Sequence, residues 1–307
     1  MIKLKTKEAT KWEIIFKHKD IFIGLINSLR RAFGEIDCYA INEENIFVTK
    51  LTASNEIDSK LRINLSFMPI KNINHNDRTL ADKNMYIYLN VHNSTEKDYI
   101  NVTSENCKFY IDDKEISFNY KRPWHIMRLR RNEEVSLKAK LVYGNTLSKK
   151  NDCFGVCSPK MSYDEEKGEF YLGINSHGQY SCREIYIKGC SLLIRKLDSF
   201  ITKMDKESIK ESYIDSDDED KEKDSGKEYY IEFKMENEDH TLGNLVKETL
   251  EKSKDISYIG YKKIHPLGDE IYFIIRTYKK DIKKTVESEI NKTIKLLQGF
   301  IKEFEKL

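Results

Sequence analysis

The chain has 307 residues, of which 39% are hydrophobic and 34% are charged, and its 53 Lys and Arg nearly balance its 51 Asp and Glu. That length allows two or more domains, and the balanced charge excludes a chain that binds nucleic acid through a strongly basic overall field, although local basic patches stay open. No apolar run is long enough to span a bilayer and the charged start MIKLKTKEATKWE is unlike a signal peptide, so we expect an intracellular protein with no membrane contact.

The first predicted elements are a strand over residues 12–17 and a helix whose N-terminus Asp20 can cap. Apolar side chains of this helix share one face at helical spacing: Phe22, Leu25, Ile26, Leu29 and Phe33. Asn27, Arg30 and Arg31 lie on its other faces. Two arginines at the end of a helix are commonly solvated and favoured by the helix dipole, so this pattern alone assigns them no function.

The middle of the chain is predicted to be mainly β. We expect strands near residues 45–51, 85–90, 107–112 and 133–143, because apolar and polar residues alternate there, as in VSLKAKL at 135–141. The run IDSKLRINLSFMPI at 57–70 contains Arg62 and Pro69, and residues 144–159 are predicted to be a long loop.

The later part of the chain contains two long amphipathic helices. A strand near 169–175 precedes the first helix, over 184–204, and the second covers 282–304. Their predicted buried stripes are Ile187, Ser191, Ile194, Leu197 and Ile201 in the first helix, and Val286, Ile290, Ile294, Leu297 and Ile301 in the second. Between them, residues 212–227 include the acidic run DSDDED, which cannot bury apolar area and is predicted to be a disordered linker.

The stretch NEDHTLGNLVKETL at 237–250 predicts another helix. Asp239 or Thr241 can cap it, and one face carries Leu242, Leu245, Val246, Thr249 and Leu250. By periodicity alone this is an ordinary surface helix of an α/β domain. It is followed by the runs Tyr258-Ile259-Gly260-Tyr261 and His265-Pro266-Leu267, then Asp269, a strand near 271–277 and the closing helix.

In this order the motifs of the last quarter resemble the small subunit of the assembly heterodimer of cellular RNA polymerases, called L in archaea. Near the start, Ile26-Asn27-Ser28-Leu29-Arg30-Arg31-Ala32 resembles the Asn-x-Leu-Arg-Arg helix of the bacterial α subunit and of its archaeal D and eukaryotic third-largest-subunit counterparts. Arg62 and Pro69 are similar to the family's Arg-Leu-x-x-x-Pro run with altered spacing, and the loop at 144–159 departs from the family pattern. Asn27 to Arg30 and Asn244 to Lys247 form a weak internal repeat, as expected if a D-like and an L-like half were joined.

The resemblance implies an α+β fold with two α-like dimerisation domains in one chain, each a mixed sheet packed on long helices, the first interrupted by a mainly β insertion domain. The expected domains are 1–71 with 161–206 (D-like), 72–160 (insertion), 207–227 (acidic linker) and 228–307 (L-like). The implied function is a non-catalytic assembly platform of DNA-directed RNA polymerase, which is no enzyme by itself. Its halves would pair intramolecularly and nucleate the two largest subunits.

The resemblance also implies partners and sites. The partners are the largest and second-largest polymerase subunits and small subunits of the N/P type, with DNA contacted only through the complex. Partner binding is expected at Asn27, Arg30, Arg31 and Arg62, and internal pairing at Leu25, Leu29, Leu242, Asn244, Leu245, Ile290 and Leu297. A fused D–L chain rich in Lys, Asn, Ile and Tyr resembles the product of a large DNA virus, which places it in host cytoplasm or virion; otherwise nucleus or cytoplasm is expected.

The alternative is a stand-alone α/β module that binds nucleic acid or acts as an enzyme. It would need a catalytic constellation or a basic face, and the sequence has no Gly-Lys-Ser/Thr phosphate loop, HExxH or Asp-Gly-Asp motif. Four histidines have no readable Ser or Cys partner, so we expect no catalytic residue: His75, His125, His240 and His265. Cys153 and Cys157 are a candidate zinc pair, but Cys107, His177 or Cys182 would have to supply two more ligands. We therefore expect reduced thiols and no cofactor.

Overall fold

The computed structural model describes residues 2–53, 58–71, 73–117, 120, 122–149, 151–213, 227–265, 268 and 270–306. Within them the chain is α+β, which confirms that part of the expected fold class, while the two dimerisation domains in one chain stay a prediction. It forms two compact units: unit 1 comprises Met1–Phe33, Pro159–Ile174 and Tyr186–Leu307, and unit 2 comprises Gly34–Ser158 and Asn175–Ile185. The domain boundaries expected from the sequence stay predictions.

Strands and helices are numbered in chain order. The strands are β1 (Ile2–Lys7), β2 (Lys11–Phe16), β3 (Cys38–Leu51), β4 (Met85–His92), β5 (Tyr99–Thr103), β6 (Cys107–Ile111), β7 (Lys114–Ile116), β8 (His125–Arg130), β9 (Glu134–Gly144), β10 (Cys157–Asp164), β11 (Glu169–Ser176), β12 (Lys210–Tyr213), β13 (Lys227–Glu236), β14 (Tyr258–Lys262) and β15 (Glu270–Thr277). The helices are α1 (Ile23–Ala32), α2 (Asp58–Ser66), α3 (Thr146–Lys149), α4 (Cys182–Asp205), α5 (His240–Leu250) and α6 (Ile282–Glu305).

Unit 1 contains two four-stranded sheets, ordered β1-β2-β11-β10 and β12-β13-β15-β14. In the second sheet every neighbouring pair is antiparallel, so the expected mixed sheet is wrong there. Along β13, Ile231, Phe233 and Met235 are buried while Glu232 and Glu236 are exposed. This alternation, with a period of two, turns one face of the sheet toward the core.

The two long helices, α4 and α6, have 24 residues each. On α4 the buried residues include Tyr186, Cys190, Leu193, Leu197, Phe200 and Met204. The predicted stripe is therefore wrong except at Leu197, because α4 carries two neighbouring lines of apolar residues and the core takes the line with the aromatic rings. On α6 the predicted stripe is buried as far as Leu297 and then continues through Phe300 and Phe304, with Ile301 only half-buried. A step of three or four residues stays on one helix face, so periodicity could not choose between them.

The N-termini of the two shorter helices of unit 1 differ in their capping. On α5, Asp239 is the N-cap and accepts a hydrogen bond from the Thr241 backbone N–H, as predicted. Helix α1 begins at Ile23 with Phe22 as N-cap and no side-chain cap bond, so the predicted Asp20 cap is wrong. Helix α1 must obtain an acceptor for its first N–H groups elsewhere.

Unit 2 is built on a five-stranded sheet with the order β3-β9-β4-β6-β7, accompanied by the two-stranded ribbon β5-β8. Helix α2 packs on β3 and β8. The core lies between these elements and includes Tyr39, Leu61, Ile87, Phe109, Ile126 and Leu137. The loop predicted at 144–159 instead contains α3, a 3-10 turn at Asp152–Phe154 and the start of β10. Phe154 is fully buried there, and its carbonyl accepts from the Cys38 thiol.

The predicted linker begins with structured residues. Strand β12 pairs antiparallel with the start of β13, Lys210 facing Tyr230, so disorder is wrong for Lys210–Tyr213. The acidic run at 215–220 lies outside the described residues, as do Pro266, Leu267 and Asp269 of the later motif. Among the helices that are described, none combines the length and the apolar character needed to cross a membrane.

Candidate functional site

The helices that carry the two motif runs, α1 and α5, pack against each other in unit 1. The start of α1 lies at the end of α5: the Gly24 backbone N–H donates to Glu248 Oε2 at 2.8 Å, and Lys252 Nζ lies 3.6 Å from the Phe22 ring centroid. The end of α1 lies at the start of α5, where Arg31 Nε donates to Thr241 Oγ1 at 2.8 Å. The two helices are therefore antiparallel.

Glu248 replaces the missing N-cap of α1. Its Oε2 accepts from Gly24, while its Oε1 accepts from Asn244 Nδ2 at 2.7 Å, one turn earlier on α5. The carboxylate is thus held by its own helix and supplies the acceptor that α1 lacks. A negative charge at this position is also favoured by the positive end of the α1 dipole.

A glycine at position 24 makes this contact possible. A Cβ built there would lie 2.4 Å from Glu248 Cδ, which is closer than real contacts allow. Glycine in a helix costs about 1 kcal/mol relative to alanine. At Gly24 the close approach of the Glu248 carboxylate offsets that cost.

At the other end of the pair, Arg31 joins the N-cap of α5. Its Nη2 donates to Asp239 Oδ2 at 2.7 Å, and the buried Ser28 hydroxyl donates to the Thr241 carbonyl at 3.1 Å. Burial by itself would raise the pKa of Asp239, but the hydrogen bonds from Thr241 and the charge of Arg31 outweigh it and hold that pKa below its usual value. Arg31 is exposed and yet committed to contacts within its own unit.

The apolar residues predicted for internal pairing are buried. Leu25, Leu29, Leu242 and Leu245 on the helix pair and Ile290 and Leu297 on α6 have no exposed surface, and Asn244 is half-buried. Their burial fits the periodicity from which they were chosen. Their role in pairing two halves stays a prediction.

Helix α4 packs on the sheet β12-β13-β15-β14 of unit 1. The Phe200 ring lies 5.2 Å from the Phe233 ring and 5.0 Å from the Phe273 ring. One turn earlier, Lys196 Nζ donates to Glu238 Oε2 at 2.6 Å, and both side chains are about nine-tenths buried. Removing one partner of a buried ion pair is strongly destabilising, because the other charge is left unpaired in the interior.

Helix α6 packs in turn on the sheet β1-β2-β11-β10 and on α4. The Phe304 ring stacks on Tyr186 at 4.1 Å and lies 5.3 Å from the Trp12 ring, and Phe300 lies 5.3 Å from Phe16. The backbone N–H of Ile2 donates to Glu303 at 3.1 Å. Within unit 1, α4 therefore packs against β13 and β15, and α6 packs against β2 and α4, through shared apolar contacts.

The remaining residues predicted for partner binding make contacts close by. Asn27 Oδ1 accepts from Arg30 Nε at 3.0 Å on α1, and both side chains are half-buried. In unit 2, Arg62 donates to Asp58 and to the carbonyls of Glu43 and Ile46. These carbonyls lie where the register between β3 and β9 shifts, so Arg62 stabilises an irregular strand. That Asn27, Arg30 and Arg62 bind partner subunits stays a prediction.

The candidate zinc ligands lie in surroundings that disfavour metal binding. Burial raises the pKa of both Cys153 and Cys157 to about 12, which favours the thiol over the thiolate that binds metal. Both ring nitrogens of His177 are already hydrogen-bonded, to Ser158 Oγ and the Gly155 carbonyl, each at 2.9 Å. Within the described part of the chain, no group of three or more His, Cys, Asp and Glu is placed to hold a metal ion.

Sequence reasoning missed the polar residues that connect the helices. Glu248 was not selected, although it lies four residues after Asn244 and such pairs interact on a helix. Lys196 and Glu238 gave no local signal, because they are 42 positions apart and meet only in the folded unit.

Comparison with known proteins points to a family. The RNA polymerase Rpb3/Rpb11 dimerisation domain matches residues 230–306, which include α5, β14, β15 and α6. DNA-directed RNA polymerase subunit Rpo11 of Saccharolobus shibatae is 48% identical over 48 residues, 16% of this chain and 52% of the relative. The same subunit of Saccharolobus solfataricus is 39% identical over 70 residues, 23% of this chain and 73% of the relative.

A longer match extends beyond the C-terminal segment. A protein of Acanthamoeba polyphaga mimivirus, provisionally named as a DNA directed RNA polymerase subunit, is 24% identical over 192 residues, 62% of this chain and 49% of the relative. The chain thus spans about half the length of the Saccharolobus shibatae and mimivirus relatives.

Proposed function

Since this chain belongs to the family of the RNA polymerase Rpb3/Rpb11 dimerisation domain, we propose that it is a non-catalytic assembly subunit of a DNA-directed RNA polymerase. In this proposal the two pairing halves, separate proteins in archaea and eukaryotes, lie in one polypeptide and pair with each other. The pair then serves as the platform on which the two largest subunits assemble.

The observation that carries the proposal is the packing of the two long helices, because in the proposed arrangement each half places its long helix on the other half. Helix α4 places Phe200 on the second sheet, and α6 places Phe300 and Phe304 against Phe16 and Tyr186 of the first half. Interfaces that bury aromatic clusters and fully desolvated leucines resemble a domain core cut in half, as in obligate dimers. This supports intramolecular pairing as the structural basis of the platform.

Contacts with other subunits are proposed at the polar positions of α1 and at Arg62. Arginine suits interfaces because its planar guanidinium can bind a carboxylate through two hydrogen bonds. Arg30 is the better candidate on α1, because Arg31 already binds Asp239 and Thr241. The proposed partners are the largest and second-largest subunits and small subunits of the N/P type, with DNA contacted through the complex.

The mimivirus relative suggests a source. It aligns with 62% of this chain, whereas the Saccharolobus relatives named above align with 16% and 23%. Such a length is compatible with a viral subunit in which D-like and L-like segments are joined. We therefore propose a large DNA virus as the source, and host cytoplasm or virion as the location.

The test is capture of polymerase subunits by the tagged chain, followed by mass spectrometry. We expect the two largest subunits in the eluate, and we expect Arg30→Ala to reduce recovery of the second-largest subunit. Surface substitutions usually change the free energy of unfolding by less than about 0.5 kcal/mol, and urea denaturation of the variant verifies that it is folded. Lys295→Ala, at an exposed position of α6, is the matched control. Undiminished recovery by a folded Arg30→Ala variant would contradict the proposed contact.

A further inference from the structure

The outer face of the five-stranded sheet in unit 2 carries aromatic rings and lysines. Residues facing the opposite side of the same strands, such as Ile87, Phe109 and Ala139, belong to the core. The outward residues, here called the aromatic–lysine face, are Phe47, Tyr86, Tyr88, Tyr110, Lys108, Lys138 and Lys140. Phe47 is 60% exposed and Tyr88 37% exposed, which is unusual for rings of that size.

Strand register interleaves the two residue types. In one row across the sheet, Phe47 faces Lys138, Lys138 faces Tyr88 and Tyr88 faces Lys108. In the next row, Lys140 faces Tyr86 and Tyr86 faces Tyr110. Side chains opposite each other on one sheet face are about 5 Å apart at Cβ, so every lysine adjoins a ring.

Carboxylates lie at the margins of this face. Glu115 on the edge strand β7 and Asp113 in the β6–β7 turn accept from the hydroxyls of Tyr110 and Tyr86, and Glu115 also lies 3.8 Å from Lys108. On the central strand β9, Lys138 Nζ lies 3.7 Å from the Tyr86 ring centroid. A cation–π contact orients the ammonium without neutralising it, so the centre of the face keeps its positive charge.

We propose that the aromatic–lysine face binds single-stranded nucleic acid. Exposed rings on an antiparallel sheet can stack unpaired bases, and adjacent lysines can neutralise the phosphates of the same strand. A protein partner is less well matched, because lysine is depleted in the centres of protein interfaces while here it occupies the middle of the sheet. This site belongs to unit 2 and does not rest on the proposed assembly function.

The probe is a fluorescein-labelled oligouridine of about 16 nucleotides, with duplex DNA of equal length for comparison. Anisotropy titrations with the full chain should show tighter binding of the single strand, because bases in a duplex are not free to stack. Tyr88→Ala and Phe47→Ala should each weaken binding at least about fivefold, whereas Tyr88→Phe should restore it.

Salt dependence tests the lysines separately. Each phosphate neutralised on a single strand contributes about 0.7 to the slope of log K against log salt, so Lys138→Ala with Lys140→Ala should lower that slope by about 1.4. The matched control removes two exposed lysines of α6, Lys295→Ala with Lys302→Ala, and should leave the slope unchanged. Thermal unfolding of each variant verifies that the face, and not the fold, was altered.

Three results would overturn the proposal. The first is the absence of oligouridine binding at about 50 mM salt, where electrostatic contacts are strong. The second is equal loss of affinity in the control pair, or no loss in Tyr88→Ala, either of which would reduce binding to general charge attraction. The third is a polymerase subunit whose capture depends on Phe47 and Tyr88 while no oligonucleotide binds, which would make the face a protein interface.

Discussion

At the scale of single residues, the contact between α1 and α5 depends on one carboxylate. Glu248 accepts from the Gly24 backbone N–H and from Asn244 Nδ2, and the absent Cβ of Gly24 leaves room for it. A hydrogen bond to a charged group contributes roughly 1.5 to 3 kcal/mol, which exceeds the helix-propensity cost of the glycine. The contact with Glu248 on α5 therefore explains why residue 24 is a glycine.

This balance predicts a non-additive pair of variants. Glu248→Ala should lower the free energy of unfolding by about 1.5 to 3 kcal/mol, since it leaves the Gly24 N–H without its acceptor. Adding Gly24→Ala to that variant should recover up to about 1 kcal/mol, because the new methyl group meets no carboxylate and alanine favours the helix. Urea denaturation of the two single variants and the double variant measures the coupling. Simple addition of the two single effects would contradict it.

Asp239 predicts a pH dependence. Its pKa is lowered in the folded chain, so its ionised form contributes stability that is present above its unfolded pKa of about 3.9 and is lost as pH falls through the lower folded value. Asp239→Asn keeps an N-cap side chain but cannot ionise or pair with Arg31. The free energy of unfolding, measured from pH 7 down to 3, should therefore fall less steeply in this variant. Parallel curves for both proteins would show that the carboxylate has no such role.

At the scale of elements, the two long helices of unit 1 make aromatic contacts near their C-terminal ends. Phe200 on α4 contacts Phe233 and Phe273, and Phe304 on α6 contacts Tyr186 and Trp12. Aromatic side chains bury large areas and prefer tilted or offset contacts, which fix the position of one helix on the opposing strands. The last turns of α6 should therefore contribute substantially to the free energy of unfolding, although they lie at the end of the helix.

Substitution on α6 separates the two lines of residues that periodicity could not distinguish. Phe304→Ala removes a fully buried ring and should cost about 3 to 5 kcal/mol. Ile301→Ala, at the predicted but only half-buried position three residues earlier, should cost markedly less. Denaturant midpoints of the two variants measure which substitution destabilises the chain more. Equal costs would mean that the C-terminal turn of α6 packs less tightly than its ring contacts indicate.

At the scale of the whole molecule, the covalent connection between the halves should be dispensable. Pairing by buried apolar surface needs no linker, which adds only effective concentration, on the order of millimolar for a short flexible chain. Two co-expressed pieces divided near Ser216 should therefore co-elute as a one-to-one complex in size exclusion. Strand β12 on the first piece would still pair with β13 on the second.

A matched pair of variants controls that experiment. Leu245→Asp or Leu297→Asp places a charge at a fully buried position and should abolish co-elution, whereas Glu251→Asp at an exposed position of the C-cap of α5 should not. Elution of two folded, separate pieces from the parent sequence at micromolar concentration would contradict intramolecular pairing and remove the basis of the platform.

Local sequence patterns were sufficient for most elements of unit 1. Apolar spacing identified α1, α5 and α6, and the sequence offered Asp239 or Thr241 as the N-cap of α5, of which Asp239 is the cap. These predictions succeed because helix faces and caps are set by residues within one or two turns of each other. The motif order also indicated the polymerase family that the comparisons support.

Tertiary structure alone decided which residues meet. Gly24 and Glu248 are 224 positions apart, and Arg31 and Asp239 are 208 apart, so no local pattern could pair them or show that Arg31 points to a neighbour within its own unit. The choice of buried line on α4, the strand at Lys210–Tyr213 and the aromatic–lysine face likewise follow from packing and strand register. The sequence by itself determined the periodicity of each element, because periodicity is a property of neighbouring residues. Their partners were decided only when the distant surfaces packed together and excluded water.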